Sequence, residues 1–153
     1  LSRRVRRVRP GAAPGPERRR LLIVPIDGLS RAVLEEAIAK GRAPFLARLV
    51  RQRGYRMAPM NVGLPTSTPA FQMAAMYGVR PDIPGFHYHD KRRRTDIYFP
   101  RGGDAAHVEA TQAAGRIGIV RDGGTYGCVF TGGAASTLLT FAPPPSGRTG
   151  ERN

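Results

Sequence analysis

Residues 21–26, LLIVPI, form a continuous apolar run that stops on a carboxylate and a glycine, Asp27-Gly28. The run is far too short to cross a bilayer, which needs about 20 apolar residues. It has the length of a strand buried on both faces, as in parallel sheets, and Asp-Gly is a turn signal. The residues after the turn have helical periodicity. Ser30 can cap a helix over 31–40 in which Val33, Leu34, Ala37 and Ile38 share one face, and Gly41 stops it. Pro44 suits the first turn of a second helix, with Phe45, Leu46, Leu49 and Val50 as its apolar side and Gly54 as its end. A second strand is predicted over 56–62, where Pro59 marks an edge or a bulge. The next helix has Thr68 at its N-cap, Pro69 at its first position, Phe71, Ala74 and Ala75 on its buried side and Gly78 as its stop. Residues 105–114 read as a further amphipathic helix capped by Asp104, and 117–120 and 126–130 as strands around the Asp122-Gly123-Gly124 turn. Strand, helix, strand, helix is the order of an α/β fold on a mainly parallel sheet.

The length of 153 residues and an apolar fraction of 41% are enough for one domain with a proper core. The charge is lopsided: 25 Lys+Arg against 11 Asp+Glu give +14, and the only lysines are Lys40 and Lys91. Eight arginines and one acid fall in residues 1–20, LSRRVRRVRPGAAPGPERRR. That segment has too few apolar residues for a core and reads as a disordered tail. It could touch nucleic acid or an acidic surface, but basic blocks are common and nonspecific, so a merely solvated tail is the favoured reading. No apolar stretch of the secretory type follows its arginines, so a cytoplasmic location without a membrane span is expected. The single cysteine, Cys128, excludes an internal disulfide and a cysteine-rich zinc site. Residues 142–153 read as a Pro-rich coil, which leaves 21–141 as the folded domain.

In open parallel sheets, ligands gather beyond the carboxyl ends of the strands. Asp27 ends the first predicted strand, and Thr68 comes after the second and opens a helix, so both are expected on one rim. A helix N-terminus favours an anion, phosphate above all. A hydroxyl placed there can attack phosphorus if a divalent metal held by Asp27 lowers its pKa. Taken singly, each feature has a plainer reading, because Asp-Gly is most often only a turn and Thr-Pro only a helix cap. In GFHYHDKRRR, His87 and His89 fall on one side of an extended segment and could hold a metal with Asp90. The plainer and favoured reading is that they are surface residues beside Arg92, Arg93 and Arg94. His107 reads as an ordinary helix residue.

The segments IVPIDGL, APFLARLVRQRG, MNVGLPTSTPAFQMAAMYG and DIPGF, in that order, resemble the amino-terminal half of the alkaline phosphatase superfamily. The nearest branch is the type I phosphodiesterase/nucleotide pyrophosphatase group, which shares its core with sulfatases. The resemblance covers residues 21–90 and, more loosely, continues toward residue 140. It implies an alkaline-phosphatase-like three-layer sandwich and a pair of divalent cations, commonly zinc. Asp27 is the implied metal ligand and Thr68 the implied metal-bound nucleophile, with Ser67 as the fallback if the register is one residue off. The implied substrates are small phosphorylated or sulfated molecules.

The family's later ligands, an Asp-x-x-x-His and an Asp-His pair, do not occur. Asp82 and His87 are one residue too far apart, and Asp104 and His107 one too close. The chain therefore reads as an amino-terminal fragment with half a metal site, expected to bind metal weakly, to turn over little and to expose an unpaired sheet edge. A noncatalytic degenerate relative is one alternative. A basic nucleic-acid-binding module is another, resting on the Arg blocks at 3–9, 18–20 and 92–94. No base-stacking motif or recognition-helix pattern is visible, so no specific nucleic-acid target is expected.

Overall fold

The computed structural model describes residues 21–144; the Arg-rich segment 1–20 and residues 145–153 of the Pro-rich end lie outside the described residues. The chain divides into two compact units, Leu1–Pro44 and Phe45–Asn153. The described elements are four helices and two small two-stranded sheets, one antiparallel and one parallel, so the class is mixed α/β.

In the first unit, the strand expected at 21–26 is not formed. The run belongs to no sheet and is exposed along its length, Leu22 at 85%. A strand is defined by its partners rather than by its own composition, and this segment has no ladder beside it. The turn at Asp27-Gly28 does form, with Gly28 in the left-handed region at φ +70°. Helix α1 (Arg31–Ala39) comes next, and Ser30 Oγ accepts from Val33 N at 3.3 Å as its N-cap. Its exposed flank is laced by the i,i+4 pairs Arg31–Glu35 and Lys40–Glu36. Gly41, at φ +69°, ends it: Gly41 N donates to Ile38 O at 3.2 Å and Arg42 N to Ala37 O at 2.8 Å. Those two bonds make the glycine-terminated closure that satisfies a helix's last carbonyls.

Helix α2 (Pro44–Gln52) opens on its proline, as expected, and stops before Gly54. The second expected strand, 56–62, is also absent, and Met60 and Val62 are exposed. Helix α3 (Thr68–Tyr77) buries Pro69, Ala70, Met73 and Tyr77 rather than Phe71, Ala74 and Ala75. Its sequence is apolar almost all round, so periodicity could not choose the face; burying Met73 and Tyr77 removes the larger apolar area from water. Gly78 caps its end at φ +63°.

Strands β1 (His87–Asp90) and β2 (Thr95–Tyr98) form an antiparallel hairpin in the register His87↔Tyr98 to Asp90↔Thr95. Helix α4 (Gly102–Gln112) begins earlier than the expected 105–114. Asp104 does not cap it, because its carboxylate is directed to the end of β2 and accepts from Tyr98 N at 3.0 Å. The strands expected at 117–120 and 126–130 are replaced by a parallel pair, β3 (Gly124–Tyr126) and β4 (Ser136–Leu138). Val129 and Phe130 lie in the buried crossing between those strands.

The core lies in the second unit. Phe99 is its centre, edge-on to Phe130 at 5.4 Å and to Phe86 at 6.4 Å, with Tyr88 at 6.2 Å. Met73, Ile83, Ile97, Ala105 and Val108 surround it. Each large side chain so buried contributes on the order of 1.5–3 kcal/mol. Ala142, which composition assigns to the tail, is fully buried and donates its N–H to Val129 O at 2.9 Å.

One close approach depends on a missing side chain. A Cβ on Gly118 would collide with the carbonyl group of Gly132, backbone against backbone. Gly118→Ala must push these segments apart and is expected to cost about 1–3 kcal/mol. Gly103, in α4, has nothing within 4 Å of the same position. Gly103→Ala is expected to be neutral or to stabilise by up to about 1 kcal/mol. Urea denaturation of the two variants beside the parent checks the contrast; equal midpoints would refute it.

Candidate active site

The hydroxyl segment Thr66-Ser67-Thr68 enters α3, and its three residues have different roles. Ser67 has extended backbone, φ −66° and ψ 147°, and its carbonyl accepts from Phe71 N at 2.9 Å, the first bond of the helix. Ser67, not Thr68, is therefore the N-cap, which corrects the expectation from sequence. Its Oγ accepts from Ala70 N at 3.4 Å and donates to Ile83 O at 3.0 Å. A hydroxyl holding both a cap bond and a bond to a distant carbonyl has a structural role, which weakens Ser67 as a fallback nucleophile. Thr68, half-buried, is the first residue of the helix, and Thr66 is exposed.

The helix start offers an anion less than the sequence suggested. Pro69 has no N–H, and the N–H groups of Ala70 and Phe71 are taken by Ser67. The dipole remains, but most of the first-turn donors that would cradle a phosphate are occupied by protein. Asp27 lies on the exposed turn after the apolar run, in the first unit, whereas Ser67 and Thr68 belong to the second.

His87 and His89 do fall on one exposed face of β1, as alternation requires. They do not converge with Asp90. His87 stands edge-on to Tyr98 at 5.8 Å, and His89 Nδ1 is 2.8 Å from Asp96 Oδ1. Asp90 Oδ1 turns to the chain and accepts from Arg92 N at 2.9 Å and Arg93 N at 3.1 Å. Those backbone donors, Arg93's foremost, hold the Asp90 carboxyl below the usual range, and the His89 hydrogen bond does the same for Asp96. His107 is exposed on α4. Among the described residues, no three His, Cys, Asp or Glu side chains group as a metal would require. Residues 21–144 therefore do not by themselves fit a two-cation centre. Burial pushes the Cys128 thiol up, away from the thiolate that metal binding or nucleophilic attack needs.

The most connected polar group is one that no sequence motif flags. Glu109, on α4, is buried, and Oε1 accepts from Tyr77 Oη at 2.6 Å, Thr131 N at 2.9 Å, Thr131 Oγ1 at 2.9 Å and Gly132 N at 2.8 Å. Thr131 N also reaches Oε2 at 3.1 Å. A weaker signal was present: Ala105, Val108 and Glu109 fall at i, i+3 and i+4, the spacing of one buried helical stripe. An acid on a helix's buried stripe needs partners. The cluster ties the end of α3 to α4 and to the loop at 131–133, and its main acceptor oxygen is filled by the protein's own donors.

No protein-family model, curated protein or solved structure matches the chain.

Burial, then the hydrogen bond to Glu109 and its charge, push the Tyr77 hydroxyl well above its usual value. In the unfolded chain Tyr77 ionises near pH 10. Because the folded pKa is raised, the contribution of this O–H is complete below about pH 10 and is lost as pH rises toward the folded value. Tyr77→Phe is expected to cost about 1–2 kcal/mol at neutral pH. It should also flatten the loss of stability above about pH 10 relative to the parent. Denaturation midpoints from pH 7 to 11 test this; parallel curves for the two proteins would contradict it.

Proposed function

We propose that this chain carries the nucleophile-bearing part of a metal-dependent hydrolase of phosphate esters, of the phosphodiester or nucleotide pyrophosphate type. Thr68 is the nucleophile and Asp27 a metal ligand, within a fold of the alkaline-phosphatase-like three-layer kind. The observation that carries the reading is the division of labour in the segment Pro65 to Pro69. Ser67 holds the helix and the Ile83 carbonyl, while Thr68 occupies the first position of α3, where the resembling family places its attacking oxygen.

The chemistry is nucleophilic substitution at phosphorus. Thr68 Oγ forms a bond to phosphorus as the bond to the leaving alcohol breaks, and the hydroxyl proton passes to the leaving oxygen, directly or through water. Water then cleaves the phosphothreonine and restores the hydroxyl. A divalent cation, zinc by the resemblance, would supply the lowered pKa of the attacking oxygen. Since the later ligands of the resembling family, an Asp-x-x-x-His and an Asp-His pair, do not occur in the sequence, the reading calls for weak zinc binding and little turnover. Small phosphorylated or sulfated compounds remain the substrate class.

Incubating the full chain with zinc and bis(p-nitrophenyl) phosphate, then mapping peptides by mass spectrometry, tests the nucleophile. A nitrophenyl-phosphoryl adduct is expected on Thr68. Thr68→Ala should abolish it and Ser67→Ala should retain it, the latter with about 1 kcal/mol lower stability from the lost cap. No adduct in the parent, or an adduct that survives Thr68→Ala, would remove Thr68 from the role.

A further inference from the structure

We propose that the β1–β2 hairpin is a binding arm for single-stranded nucleic acid. Lys91, Arg92, Arg93 and Arg94, consecutive and all exposed, make up the turn between its strands. Folding does not require four cations there. Among the described residues, none of these side chains forms an ion pair. The turn is closed instead by Asp90, which binds the backbone of Arg92 and Arg93. Like charges crowded into one turn repel one another, and a polyanion removes that cost.

The outer face of the hairpin supplies what a cationic tip alone lacks. Tyr88 and Ile97 face the core, so the register puts His87, His89, Asp96 and Tyr98 on the opposite face. Tyr98 is 42% exposed, the His87 ring stands edge-on to it at 5.8 Å, and the Arg101 guanidinium lies 5.7 Å over it. The acid on this face, Asp96, is engaged by His89. Ring and guanidinium together form a platform of the kind on which unpaired bases stack. Tyr98 lies four residues from Arg94 at the tip, roughly 13 Å at the rise of a strand.

The two features together select the partner. An acidic peptide would use the cations and leave the platform idle. A duplex would offer phosphates but keep its bases stacked inside. A single strand offers both, phosphates to Lys91–Arg94 and bases to Tyr98 and Arg101. The hairpin offers charge and stacking but no helix for base-edge readout, so its binding is independent of sequence.

The test uses the full chain and a fluorescein-labelled oligothymidylate, with anisotropy measured across a salt series. Since the eight arginines of residues 1–20 stay in every protein compared, differences report the hairpin alone. The variant K91S/R92S/R93S/R94N neutralises the tip; asparagine is chosen at 94 because Arg94 has φ +52°, in the left-handed region. It is expected to bind about tenfold more weakly or worse, with a salt slope shallower by roughly 0.7 for each phosphate that the tip no longer neutralises. Tyr98→Ala is expected to weaken binding roughly fivefold or more while leaving the slope unchanged. Unaltered circular dichroism keeps both effects from being misfolding. Parental affinity and slope in the tip variant would overturn the proposal. So would an inert Tyr98→Ala, or polyaspartate or duplex DNA competing as well as the single strand.

Discussion

The Glu109 carboxylate is the point on which the second unit depends. A buried charge is tolerable only when its oxygens are hydrogen-bonded, and here the donors come from separate places: Tyr77 on α3, and Thr131 and Gly132 on an irregular loop. Withdrawing any one leaves a charged acceptor short of a partner in a region of low polarity. Each donor is therefore held in place by the cost of its own departure. The loop in turn carries Gly132, whose backbone sits against Gly118, and Ala134, which bridges to Arg121 just before β3. The parallel pair β3–β4 is small and largely exposed, and its strands are held in line by what lies between them. A parallel ladder of three residues has little stability of its own. The carboxylate, the loop and the glycine approach supply the remainder.

The same logic fixes Thr68. Helix α3 is tethered at its start by Ser67 to Ile83 O, in its middle by Gln72 Oε1 to Val129 N at 2.7 Å, and at its end by Tyr77 to Glu109. Three attachments along ten residues, with Met73 and Ala70 buried beneath, leave the helix little freedom to shift. A residue at its first position inherits that rigidity, which is what a positioned nucleophile requires. Under the proposed reading the anchoring hydroxyl, Ser67, and the attacking one, Thr68, are different side chains, and the bond to the Ile83 carbonyl is what sets Ser67 apart.

How much of this could be read from the sequence depends on where each cause lies. Ser30, Gly41, Pro44 and Gly78 act on their own neighbours, and the structure puts each in the position the sequence assigns. The runs at 21–26 and 56–62 have strand composition but no strand, because pairing is decided by a partner elsewhere in the chain. Asp104 failed as a cap for a related reason: the Tyr98 N–H at the end of β2 competes for the carboxylate. In the candidate site, the helix start beside Pro69 was legible from local chemistry. The assignment of the cap to Ser67 was not, since its second partner lies 16 residues away. Glu109 lay between these cases. Its place on the buried stripe of α4 could be read, but its donors at Tyr77, Thr131 and Gly132 could not.

Charge completes the account. Ion pairs among the described residues are few, exposed or partly so, and mostly within one turn of chain, as at Arg31–Glu35, Lys40–Glu36 and Arg101–Asp104. Pairs of that kind contribute little to stability. A chain with a net charge of +14 therefore folds against its own repulsion, using the apolar core around Phe99 and the Glu109 knot. Salt then has opposite consequences in two places. It screens the repulsion and so favours the compact state, yet it weakens any hold of the Lys91–Arg94 tip on a polyanion. A polyanion relieves the repulsion where the cations are densest, without that general screening. The exposed cations of Lys91–Arg94, without an ion pair among the described residues, are where the proposed binding and the relief of repulsion coincide.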